Sequence, residues 1–138
     1  MAEGIEPPQA SSAQRSAELQ ARTKSFAVRC LRLIDSLPNT TAGRVIGNQL
    51  ARSATSVGAN YRASCRARSR KEFVSKMSIT VEEADESLYW LELIVELKLV
   101  SPDRLDTLLD EANQLVAIFA KSRSTARKSI NPAQSRTP

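Results

Sequence analysis

The stretch from Gly47 to Leu97 narrows the folds open to this chain more than any other: GNQLARSATSVGANYRASCRARSRKEFVSKMSITVEEADESLYWLELIVEL. Positions 41–71 carry seven Lys or Arg and no acid, whereas 72–111 carry eleven Asp or Glu against three bases. Apolar residues recur through both halves at steps of three and four, the spacing of a helix with a buried face. Two long helices of opposite charge, joined by a short break, pack antiparallel in one bundle.

The break holds neither Gly nor Pro. Its signal is Ser69 with Glu72, which fits the capping box in which serine and glutamate each satisfy a free backbone N–H. The third helix is therefore expected from Ser69 to about Val100, with Phe73, Met77, Thr80, Ala84, Leu88, Leu91 and Val95 on its core face. A second stripe runs nearly opposite: Ile79, Glu83, Glu86, Trp90, Leu93 and Leu97. A bundle helix ordinarily carries one apolar stripe and a polar back. The extra apolar groups Ile79, Trp90, Leu93 and Leu97 are accordingly read as a contact between subunits.

The second helix is expected over 42–67, capped from among Asn39, Thr40 and Thr41. Ile46, Leu50, Ala54, Val57 and Tyr61 form its core stripe. Arg44, Arg62 and Arg66 project from the other side, and Arg68, Arg70 and Lys71 follow at its end. Gln49, Arg52, Ser53, Ser56 and Asn60 make a flanking polar stripe. Such small and polar groups permit close approach and fix register, and antiparallel pairing sets Arg52 level with Asp85 and Glu86.

A first helix is expected from Gln14 to Leu37, burying Leu19, Phe26, Cys30, Leu33 and Leu37 and stopped by Pro38. Ser101-Pro102-Asp103 starts a fourth, over 102–124, with cap, N1 proline and an acid at the positive end of the dipole. It buries Leu105, Leu108, Leu109, Ala112, Leu115, Val116 and Phe119. Residues 1–13 and the basic tail 125–138 are expected to be disordered. The fold class is thus all-α: a single domain over 14–124, an up-down-up-down four-helix bundle.

Several chemistries are excluded. The chain has no histidine, which removes the commonest general base, the Ser-His and Cys-His dyads and most zinc sites. The run Glu82, Glu83, Asp85 and Glu86 wraps around its helix and lacks the Glu-x-x-His pairs of di-metal bundles. No metal, cofactor or catalytic residue is predicted, and no nucleophile–base pair or phosphate loop is visible. Cys30 reads as a core thiol and Cys65 as a free one beside arginines. No signal peptide or membrane-length apolar run is found, so a cytoplasmic protein is expected.

A net charge of +5 permits contact with nucleic acid. Arg44, Arg62, Arg66, Arg68, Arg70 and Lys71 are the candidate phosphate-binding residues. Stacking aromatics and a groove-reading motif are missing from that surface. Binding to DNA or RNA would follow the backbone and weaken with salt.

Gln49-Leu50-x-Arg52-Ser53-x-x-Ser56-Val57-x-Ala59-Asn60 also carries a resemblance, together with Ala67-Arg68-Ser69-x-x-Glu72-Phe73 and Glu83-Ala84-Asp85-Glu86-Ser87-Leu88-Tyr89-Trp90-Leu91. Over about 25–124 the chain resembles the four helix bundle protein family. That family is similar to proteins encoded in intervening sequences of bacterial large-subunit ribosomal RNA genes, and to accessory variability proteins of diversity-generating retroelements. The resemblance implies a bacterial bundle assembled as a homopentameric ring. In the retroelement members, a basic surface engages nucleic acid and a reverse transcriptase; most members have no assigned activity. Ala59-Asn60-Tyr61-Arg62-Ala63-Ser64 departs from the Ala-Asn-Ile-Ala-Glu-Gly of many members, and only the shared arginines are carried over. The expected function is a non-enzymatic oligomeric adaptor with weak, sequence-tolerant nucleic-acid binding. The alternative is a protein-interaction scaffold that binds none.

Overall fold

A computed structural model describes residues 11–130 as four helices, with no strand among them. They are α1 (Ser12–Ile34), α2 (Thr41–Cys65), α3 (Arg70–Glu96) and α4 (Pro102–Ile130). Each helix packs on its neighbours in sequence, and α4 closes back on α1. Register contacts establish the directions. Arg22 reaches Glu111 while Arg29, two turns on, donates to Thr107 at 2.8 Å, so α1 and α4 run antiparallel. Gly47 lies against Ile34 and Gly58 against Thr23, which makes α1 and α2 antiparallel as well.

The core is largely aliphatic and includes the phenylalanines Phe26 and Phe119. Phe26, Leu50, Val57, Met77, Leu91, Leu108, Leu115 and Phe119 are all buried. Tyr61 stacks tilted on Phe119 with ring centroids 5.0 Å apart. At about 1.5–3 kcal/mol per large apolar side chain, this burial is what holds the helices together.

Local signals set the ends. Ser11 caps α1 with a complete box: its hydroxyl accepts from Gln14 N at 3.1 Å while Ser11 N donates to Gln14 Oε1 at 2.8 Å. The helix therefore starts two residues ahead of the expected Gln14. It also ends at Ile34 rather than Leu37. Pro38 disfavours helical geometry just before it, and the chain tightens through Ser36 N to Leu33 O and Leu37 N to Ile34 O. Thr40 caps α2, accepting from Gly43 N at 3.1 Å. A Cβ on Gly43 would come within 2.1 Å of the Pro38 carbonyl oxygen, so this turn admits only glycine in its present geometry.

Ser69 caps α3, accepting from Glu72 N at 3.0 Å. The reciprocal half of the expected box is displaced by one residue, because the Glu72 carboxylate accepts from Arg68 N at 3.4 Å. At its other end α3 stops at Glu96, four residues short of Val100. Lys98 turns left-handed (φ 53°), with Lys98 N donating to Val95 O and Leu99 N to Ile94 O. This is a Schellman closure made without glycine.

Two expectations about faces and ends fail. In the second half of α3, Ser87, Leu91 and Ile94 are buried, whereas Leu88 is half-buried and Val95 is exposed. The segment from Leu88 to Leu97 is apolar on almost every side, so periodicity alone does not fix its phase. The small Ser87, which lets α2 approach, does. In addition, α4 continues to Ile130, six residues beyond 124, with Ala126 buried. The tail residues 125–130 are helical, and Ser12 and Ala13 belong to α1. The disorder expected for 1–10 and 131–138 lies outside the described residues.

Candidate nucleic-acid and subunit interfaces

The polar stripe of α2 is the seam with α3. Arg52 Nη1 meets Glu83 at 3.0 Å, and its Nη2 pairs with Glu86. Asp85, one of the two expected partners, is exposed and makes no ion pair among the described residues; Glu83 takes its place. Gln49 Oε1 accepts from Arg52 Nε at 3.3 Å. Ser87 Oγ donates to Ser53 Oγ at 2.9 Å inside the bundle. Asn60 donates to both the carbonyl and hydroxyl of Ser56 at 2.9 Å, within its own helix. Glu83 and Glu86 are thus committed to Arg52, and Glu86 also accepts from Trp90 Nε1 at 3.3 Å. Among the described residues, no group of three Cys, Asp or Glu side chains is placed to hold a metal.

The expected subunit face is divided. Ile79 and Leu97 are exposed, but Trp90 and Leu93 are half-buried and pack against the chain's own core. Tyr89 and Val95 are exposed instead, and Tyr89 stands edge-on to Trp90 at 5.1 Å. Val28 and Leu31 on α1 and Val45 on α2 add further exposed apolar groups.

The basic residues sort by position along the bundle. Because successive helices alternate in direction, the start of α1, the end of α2, the start of α3 and the end of α4 share one end. Arg66, Arg68, Arg70 and Lys71 occupy the α2–α3 turn there. None of these side chains makes an ion pair among the described residues, and all four are exposed. Arg123 joins the same end, together with Arg127 and Lys128 from the part of α4 expected to be disordered. Among the described residues the acids of these terminal turns are Glu18 and Glu72. Towards the opposite end Asp35, Glu92, Glu96, Asp103 and Asp106 balance Arg29, Arg32, Arg44, Lys98 and Arg104, so the excess of positive charge gathers at the first end.

Arg44 is separated from this cluster. It shares a helical face with Arg62, but eighteen residues at 1.5 Å each put it about 27 Å away. There it donates to Asn39 Oδ1 at 3.0 Å. Arg62 borders a recess between α1 and α2, with Lys24 and Gly58. The contribution of Arg127 and Lys128 was missed because four bases hide the apolar step from Phe119 to Ala126 and Ile130. That step of seven and four was the available signal.

A cavity of about 450 Å³ opens at the basic end, where all four helices contribute. Tyr61 and Ser64, both buried, border it along with Cys65, Ser69, Arg70 and Phe73. Burial pushes the Tyr61 phenol up to about 12; the neighbouring Cys65 thiol adds to the rise and Ser16 opposes it. Burial likewise pushes the Cys30 thiol up to about 12, against a small opposing pull from Arg29. Cys65 is exposed.

These features define an all-helical, four-helix protein with one polarised basic end. The chain belongs to the 23S rRNA-intervening sequence protein family, whose model matches residues 15–121. It is also similar to a crystal structure from Bacteroides thetaiotaomicron VPI-5482, a protein of unknown function from the S23 ribosomal protein family. The TM-score is 0.72 at 28% identity, covering 79% of this chain and 97% of that one. No protein with a curated description matches the chain. Among the described residues no helix is long and apolar enough to cross a membrane.

Proposed function

We propose that this protein is a non-enzymatic adaptor that holds nucleic acid by electrostatic contact at the basic end of its bundle. One observation carries the reading: Arg66, Arg68, Arg70 and Lys71 are exposed together and lack carboxylate partners among the described residues. The guanidinium groups of Arg22 and Arg52 are already held by carboxylates within the bundle, which offsets their charge and takes up several of their donors. Those at the end keep their full donor sets for phosphates. Each phosphate neutralised releases condensed counterions, so affinity is micromolar or weaker and falls steeply with salt. No element is shaped to enter a groove, so sequence preference is slight.

Assembly into a homo-oligomer, a pentameric ring by the resemblance, belongs to the same proposal. It is supported by Ile79, Tyr89, Val95 and Leu97, which leave apolar surface on α3 facing water. A ring would present the basic end once per subunit and let one polyanion engage several of them. A reverse transcriptase as partner is proposed on the resemblance alone. The same exposed α3 groups favour a second reading, a protein scaffold that binds no nucleic acid. Anisotropy of labelled RNA and DNA, single-stranded and duplex, at low salt separates the two. Binding lost between about 50 and 200 mM salt supports the adaptor, and its absence at low salt leaves the scaffold.

A further inference from the structure

We infer that the cavity at the basic end receives a phosphorylated nucleic-acid terminus, a single end nucleotide carrying a phosphate monoester. The inference rests on the adaptor reading and names the part of the ligand that this site selects.

The shape comes first. The cavity's volume, about 450 Å³, lies within the roughly 300–1,000 Å³ of small-ligand pockets. That room suits one nucleotide and not a duplex. Tyr61 and Ser64 are buried in the packed bundle and close the cavity on its inner side. Above that floor the recess has room for the last nucleotide of a strand to insert.

The lining then distinguishes the two parts of a nucleotide. Leu19 and Phe73, both half-buried, give an apolar wall for a base or sugar. Arg70 and the hydroxyl of Ser69 supply polar groups at the mouth. The Arg70 guanidinium has no partner among the described residues, and its planar fork matches phosphate oxygens two at a time. A terminal monoester carries about −1.5 to −2 charges near pH 7 and three free oxygens, more than a bridging diester offers. The rest of the strand, leaving the cavity, meets Arg66, Arg68 and Lys71 on the adjoining turn.

Cys65 gives the chain its own reporter, because it borders the cavity and is exposed while Cys30 is buried. The test uses the wild-type full chain with one oligonucleotide in three forms: 5′-phosphorylated, 3′-phosphorylated and unphosphorylated. Affinity is read by anisotropy, and the rate of Cys65 modification by an aromatic disulfide reagent is read alongside. Adenosine monophosphate and inorganic phosphate serve as small probes. A phosphorylated form is expected to bind about tenfold more tightly than the unphosphorylated one. Cys65 should be protected severalfold by that form and by the mononucleotide. Arg70→Glu should erase the preference with helical circular dichroism unchanged.

Equal affinity for all three forms with no protection of Cys65 overturns the inference and leaves the adaptor reading standing. Protection by inorganic phosphate equal to that by the mononucleotide also overturns it, since the cavity would then hold an anion only. If no oligonucleotide binds, the adaptor reading falls. Protection by the mononucleotide then decides the cavity by itself: its presence keeps a nucleotide site, and its absence removes it.

Discussion

Ser87 on α3 donates to Ser53 on α2 across 2.9 Å, with both side chains buried. Two small polar groups of the seam thus meet inside the bundle. Ser87 Oγ also lies 2.8 Å from its own Glu83 carbonyl oxygen, so its single hydroxyl proton has that acceptor if Ser53 is lost. Ser53→Ala is expected to cost only about 0.5–1.5 kcal/mol, the net worth of one hydrogen bond. Ser53→Leu must separate the helices and is expected to cost about 1–3 kcal/mol or more. Urea midpoints of the two variants check the order. A leucine variant as stable as the alanine one would mean the seam has room that the structure does not show.

Lys98 closes α3 in the left-handed region at φ 53°, a conformation that costs an L-residue about 1–2 kcal/mol. Lys98→Gly removes that cost while returning some flexibility to the unfolded chain. The variant is expected to be more stable by about 0.5–1 kcal/mol, read from the same denaturation curve. A loss of stability would show that the lysine side chain contributes more than its backbone strain subtracts.

Capping and stopping were legible because they are local. Pro38, Thr40, Ser69 and Ser101-Pro102-Asp103 each act on residues within about one turn, and the helices begin or end within four residues of them. The phase of α3 was not legible: Leu88, Trp90, Leu91, Leu93, Ile94 and Val95 surround the axis. Which of them enters the core depends on where α2 presses, at Ser87. Likewise, helical-wheel arithmetic correctly grouped Arg44 with Arg62 on one face but carried no information about height along the bundle. The basic end is a tertiary feature, built from four chain segments as distant as Arg66 and Arg127.

Two buried acids make stability fall at high pH. Cys30 and Tyr61 have ordinary values of 9.0 and 10.0, and the fold raises each to about 12. Between those limits the unfolded chain has released protons that the folded one still holds, so stability declines as pH rises. The contribution is fully present below about pH 9 and is lost progressively towards 12. Urea midpoints should be level from pH 7 to 8.5 and then drop. Cys30→Ala should be weaker at neutral pH yet decline less steeply. A midpoint unchanged up to pH 11 would show that neither group is shielded from water.

Trp90 tests the proposed assembly. It is half-buried against its own core, with Nε1 on Glu86 and Tyr89 at its edge. Trp90→Glu places a second carboxylate beside Glu86 and is expected to cost some stability as well as subunit contact. Leu97→Glu, on a side chain 52% exposed, isolates the contact. Light scattering should show Leu97→Glu shifted towards monomer with its helical circular dichroism intact. A monomeric wild type at micromolar concentration would remove the oligomer from the proposal.

The proposal that phosphates are held at the basic end stands or falls on a comparison of two charge reversals. Anisotropy of one labelled RNA and one labelled DNA, at about 50 mM salt, is measured for wild type, Arg66→Glu/Arg68→Glu and Arg44→Glu. The double reversal should abolish binding. Arg44→Glu, about 33 Å along the axis from Arg66, should leave most of it. Wild-type binding should fade as salt rises to about 200 mM. No wild-type binding to any strand at low salt, or an Arg44→Glu loss equal to that of the double reversal, would contradict a nucleic-acid site at that end.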